Sequence, residues 1–121
     1  MRNDALVNDV DDAVEKVISI GTESFSQHIW NNAALLEKLI LSAGAEELTN
    51  KQLDRIGMDD IYERILTLTE RFDRKETVKS LGKLVSQEIL CEAENGYYFP
   101  VNLLRKWIAL RFPLRKLREE I

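Results

Sequence analysis

The chain has 121 residues, 45% apolar and 31% charged, with a net charge of −4. That balance suits one globular domain with a real core, and it excludes a disordered or collagen-like chain. With no apolar run near the ~18 residues of a membrane span, no signal peptide and one cysteine, a cytoplasmic chain without an intrachain disulfide is expected.

Five glycines and two prolines leave little punctuation, which favours helices joined by short loops. Asn8 or Asp9 can cap a first helix whose stripe is Val10, Val14, Val17 and Ile18, with Gly21 as the stop. A short helical piece follows from Thr22 and presents Phe25, Ile29 and Trp30. Asn31 or Asn32 then caps a helix over Ala33 to Ala43, with Leu36, Leu39, Ile40 and Ala43 inward and Gly44 at its end. Thr49 caps a short helix through Leu53 and Ile56 that Gly57 terminates. Asp59 or Asp60 opens a stronger helix, in which Ile61, Ile65, Leu68 and Phe72 make one stripe. Asp73 starts the next, with Val78, Leu81, Leu84, Val85 and Ile89 inward.

Residues 89 to 100 read as a β-hairpin. Asn95 and Gly96 both tolerate positive φ, as the two central positions of a type I′ turn require. A ribbon that small must lean on neighbouring helices. A final helix carries Leu103, Leu104, Trp107, Ile108 and Leu110, and Pro113 interrupts it before a charged last turn or two. Helix, hairpin, helix is the pattern of a winged helix.

Two stretches resemble a known family. Asn8-Asp9-Val10-Asp11-Asp12-Ala13-Val14 followed by Phe25-Ser26-Gln27-His28-Ile29-Trp30 resembles the segment that leaves the ATPase core in bacterial and archaeal STAND-type AAA+ ATPases. Gly96-Tyr97-Tyr98-Phe99-Pro100-Val101 with Asn102-Leu103-Leu104-Arg105-Lys106-Trp107-Ile108 is similar to the close of the winged-helix domain that follows. The resemblance covers most of residues 8 to 111. It implies a mainly α fold, a winged helix-turn-helix with a two-stranded wing, and a helical lead-in. On that basis residues 1–31 are a lead-in from an upstream ATPase core and 32–121 the winged-helix domain. Tyr98 and Pro100 stand where the family pattern has basic residues, and the stretch from Leu48 to Phe72 is long enough for an extra helix. The resemblance turns Tyr97, Phe99 and Val101 inward, whereas strict alternation puts Tyr97 and Phe99 on the face of Glu92 and Glu94.

The charge is split along the chain: residues 1–70 hold 6 basic and 14 acidic side chains, residues 71–121 hold 11 and 7. Lys75, Lys79 and Lys83 lie four apart, within about 80° of arc at 100° per residue, and Arg71 and Arg74 extend the patch. On a DNA-reading winged helix such a face enters the major groove, with lysines on phosphates or guanine edges. A solvated face opposite an apolar stripe gives the same pattern. Arg105, Lys106, Arg111, Arg115, Lys116 and Arg118 form a basic C-terminal end, suited to a helix's negative end or to an acidic partner such as the parent ATPase core.

No phosphate-cradling G-x-x-x-x-G-K-[ST] loop is present. His28 and Cys91 are the sole residues of their types, too few for a zinc site or a catalytic dyad. Asp11 with Asp12 and Asp59 with Asp60 sit at helix starts, where negative charge is stabilising. No catalytic, cofactor or metal residues are therefore expected, and no small-molecule substrate. The expected function is a non-catalytic accessory domain of a STAND-type ATPase that contacts the parent core or another protein, with weak nucleic-acid binding at most and no membrane. The competing expectation is a self-standing winged-helix DNA-binding regulator.

Overall fold

The structure, a computed structural model, describes residues 24–121. The expected helix on Val10, Val14, Val17 and Ile18 lies outside them. The fold is mainly helical with one two-stranded antiparallel hairpin. In chain order it comprises α1 (24–32), α2 (Leu35–Asn50), α3 (Met58–Leu66), α4 (Arg74–Ser86), β1 (Cys91–Ala93), β2 (Gly96–Tyr98), α5 (Asn102–Arg111) and a 3-10 turn over Leu114–Glu120.

Helix α2 is the hub, packed against α3, α4, α5 and the 3-10 turn. Leu39, Ile40, Leu41, Ala43, Ala45 and Leu48 are all buried, so this helix is enclosed on nearly every side. That enclosure corrects the expected stop at Gly44, through which α2 runs on to Asn50. A mid-helix glycine costs about 1 kcal/mol against alanine, and here tertiary packing offsets it. Phe99 and Ile56 pack over the spot, both in ordinary contact distance of where a Cβ would stand. Thr49 is consequently a helical residue and not a cap, and residues 51–57 form no helix. Ile56 is instead extended and pairs with Tyr97, through Ile56 N–H to Tyr97 O (2.9 Å) and Tyr97 N–H to Ile56 O (2.8 Å). The extra helix expected between Leu48 and Phe72 is thus replaced by a bridging residue, and α3 is the one helix there.

Two helices end on positive φ without glycine. Gln52 (φ 51°) follows α2 and Glu88 (φ 61°) follows α4. In each case the next amide reaches back to a carbonyl of the last turn, Leu53 to Leu48 (3.1 Å) and Ile89 to Leu84 (3.0 Å). Those are Schellman closures, which ordinarily place glycine at the left-handed residue. Glu88→Gly should therefore raise the unfolding free energy by about 0.5–1 kcal/mol, read as a higher urea midpoint at constant slope.

Helix α4 starts as expected. Asp73 accepts from the Glu76 amide at 2.7 Å, and Glu76 turns back to the Asp73 amide. Its inward face is Thr77, Leu81 and Leu84, with Val85 half-buried. Val78, expected inward, is 49% exposed. Thr77 takes its place because its hydroxyl donates to Asp73 O at 2.9 Å and so enters the core satisfied. On α5, Leu104 and Ile108 are buried, but Leu110 is 77% exposed and faces away from α2.

The hairpin register pairs Cys91 with Tyr98, Glu92 with Tyr97 and Ala93 with Gly96. The central turn residues are thus Glu94 and Asn95, one position earlier than expected. Only Asn95 has positive φ (68°), and Gly96 is the first residue of β2. Its glycine serves a different need: a Cβ there would stand 2.9 Å from Ile56 O. Phe99 is buried, one of the three residues that the family resemblance turns inward, because it lies past the end of β2 and is free of strand alternation. Tyr97 is half-buried and Val101 exposed.

The C-terminal end closes on aromatic rings. Trp30 of α1 stacks on Phe112 with centroids 4.4 Å apart, and Trp107 meets Phe112 at 5.3 Å. After Pro113, the last segment is more than a charged tail, since Leu114 and Leu117 are both buried. Glu46 on α2 binds it in place, accepting from the Leu114 amide (2.9 Å) while pairing with Arg64 of α3 (2.7 Å).

Candidate functional site

The five cations singled out from the sequence lie on α4 and the turn before it, and the structure divides them. Arg74 forms an ion pair with Asp59, the second residue of α3, and lies over the Tyr62 ring. Both partners of that pair are largely exposed, so it contributes at most about 1 kcal/mol. Lys83 points at Glu37 of α2, with Nζ 3.3 Å from Oε1. Glu37 is buried, and the same oxygen accepts from the Ala34 amide at the start of α2 (3.2 Å). Lys83 thus neutralises a buried carboxylate, which makes it part of the α2–α4 packing. Arg71 lies over the Phe72 ring at 5.3 Å.

Lys75 and Lys79 remain, exposed and without an ion pair among the described residues. Between them stands Val78. Together with Arg74 these residues line a shallow, wide-open depression. One turn further on, Gly82 is exposed with nothing within 4 Å of where its Cβ would be. The open face of α4 therefore has an apolar centre, two free amines and a bare stretch of backbone. Sequence reasoning found the amines and placed the valine on the wrong side.

The hairpin beside α4 has the opposite charge. Glu92 and Glu94 are exposed, as are Tyr98 and Pro100. Burial pushes the Tyr97 phenol above its ordinary pKa, and the Glu92 charge opposite adds to the rise. Arg55 donates to the backbone carbonyl of Glu94 (2.6 Å) and ties the Ile56 segment to the turn.

A second feature had no sequence signal. A cavity of about 380 Å³ opens between α1, the end of α4 and α5, with Phe25, Ile29, Ile89 and Leu104 as apolar wall and Glu37 and Glu88 among its polar residues. His28, also lining it, is exposed and lies one turn from Asn32, whose amide donates to the His28 carbonyl (2.8 Å). Cys91 is a half-buried thiol opposite Tyr98. Among the described residues no group of three or more His, Cys, Asp or Glu side chains could hold a metal. No described helix is long and apolar enough to cross a membrane.

The chain matches no protein-family model, no curated protein and no solved structure.

Proposed function

We propose that this chain is a non-catalytic winged-helix module whose α4 face makes protein contacts, as in the accessory domain of a STAND-type AAA+ ATPase. The connectivity supports the winged-helix reading. Helix α2, the bridging Ile56, α3, α4 and the β1–β2 hairpin follow one another in the order of helix, strand, helix, recognition helix and wing. The resemblance of residues 8 to 111 to that domain supports the parentage.

The observation that carries the choice of protein over nucleic acid is the make-up of the α4 face. Duplex readers crowd this helix with cations and base-reading amides and back it with a basic wing. Here Arg74 and Lys83 are engaged by Asp59 and Glu37, an exposed valine holds the centre, and the adjoining wing carries Glu92 and Glu94. An apolar centre rimmed by charge is the anatomy of a small protein interface.

Nucleic-acid binding is accordingly expected to be weak and non-specific. Arg71, Lys75 and Lys79 could neutralise about three phosphates, a log K against log salt slope near −2.7, with dissociation constants of ~10⁻⁴ to 10⁻⁶ M at physiological salt. A mobility-shift series across several salt concentrations, repeated with Arg71, Lys75 and Lys79 all changed to Glu, measures this. Nanomolar, sequence-dependent binding that the triple variant abolishes would replace this reading with that of a DNA-binding regulator.

A further inference from the structure

We propose that the cavity between α1, the end of α4 and α5 binds a small organic ammonium ion of the arylalkylamine class. The proposal rests on this cavity alone, so it stands or falls apart from the role of the α4 face. At about 380 Å³ the cavity falls within the ~300–1,000 Å³ of small-molecule sites. Phe25, Ile29, Ile89 and Leu104 supply apolar walls, one of them an aromatic ring, so an aryl body gains by leaving water there.

Charge sets the sign of the ligand. Among the described residues that line the cavity there is no lysine or arginine, whereas Glu37 and Glu88 both line it. The two carboxylates are not equivalent. Glu37 is buried and neutralised by Lys83, and its contacts with Lys83 Nζ and the Ala34 amide both fall on Oε1. It therefore supplies an acceptor oxygen and no net charge. Glu88 is exposed, and its carboxylate has no ion pair or hydrogen bond among the described residues. An anionic ligand would meet that charge with nothing beside it to compensate. An ammonium ion pairs with it.

The backbone at Glu88 points the same way. Its φ of 61° is left-handed, at a helix end where glycine is the ordinary residue. A glutamate there weakens the closure of α4, and strain of that kind collects at ligand sites. What the glutamate adds over glycine is a carboxylate on the cavity wall. A ligand seated there touches α1, α4 and α5 together, so its binding ties α1 to the rest of the fold.

Titration of the nitrogen-15-labelled whole chain with phenethylammonium, followed by amide chemical shifts, tests this. The matched control is 3-phenylpropionate, which has the same ring and spacer but ends in a carboxylate. The expected result is saturable shifts at Ile29, Ile89 and Leu104, in the millimolar range or below, with the anion weaker by about fivefold or more. Glu88→Gln should bring the two dissociation constants together. Glu88→Gly should do the same while raising the urea midpoint, and those opposite directions separate lost charge from lost fold. Val101→Trp sets a large side chain at an exposed position of the cavity wall and should weaken phenethylammonium by about fivefold or more. Absence of saturable shifts, or shifts confined to other elements, would overturn the proposal. So would equal binding of the two probes to the native chain, or a preference for the ammonium that survives Glu88→Gln.

Discussion

Trp30→Ala should lower the unfolding free energy by about 3–5 kcal/mol, the range for removing a buried large aromatic. Trp30 is only 3% exposed although it belongs to α1, the first described helix. Its ring stacks on Phe112 at 4.4 Å and 16°, with the Lys38 ammonium 5.6 Å from its centroid. Phe112 is the capping residue of α5 and in turn touches Trp107, and its carbonyl accepts from Ser42 of α2 (2.7 Å). Removing the indole opens a hole where α1, α2 and α5 meet. Urea unfolding followed by circular dichroism measures the loss. A cost under about 1 kcal/mol would mean that α1 does not unfold with the rest. The residue boundary expected between 31 and 32 would then describe a separable lead-in.

Gly96→Ala should cost about 1–3 kcal/mol, the usual penalty of forcing an extra carbon into a packed site. The new Cβ would stand 2.9 Å from Ile56 O and 3.1 Å from Ile56 C. Both atoms are backbone, held by the two hydrogen bonds between Ile56 and Tyr97, so neither can swing aside. The bridge must open, and with it the backbone pairing of the hairpin to the segment before α3, leaving the Arg55 bond to Glu94 O as its tie there. Hydrogen exchange distinguishes this from general destabilisation. The Ile56 and Tyr97 amides should lose protection first while Leu39 and Ile40 keep theirs. Unchanged protection of Ile56 in the variant would show that the strand accommodates the methyl group.

The two substitutions mark how far the sequence could be read. Helix positions came from local signals that act over three or four residues. Asp73 with Glu76 is a capping box whatever surrounds it, and Ile61 with Ile65 is a buried stripe. The hairpin was legible too, because Asn95 and Gly96 concentrate turn chemistry between two short apolar runs. Its register was not: the turn sits one residue earlier because Gly96 is needed opposite Ile56, a contact 40 positions away. Gly44 misled for a related reason. Local propensity makes it a helix stop, and only the burial of α2 against Phe99 and Ile56 keeps the helix going through it.

The candidate site divides in the same way. By itself the sequence determined the row Lys75, Lys79 and Lys83 on one helix face, because helical geometry fixes that arc. It also determined the acid-rich first half and the missing phosphate loop. Only the tertiary structure decided which of those cations stay open. Glu37 lies 46 residues before Lys83, and burying that carboxylate in α2 requires a cation beside it. Thr77 turned inward because its hydroxyl finds Asp73 O, and that put Val78 at the centre of the exposed face. Periodicity assigns a face to each residue, but which of two neighbours at its edge is buried falls to the packing of α4 on α2, and Thr77 can take the inner place because its hydroxyl is already satisfied.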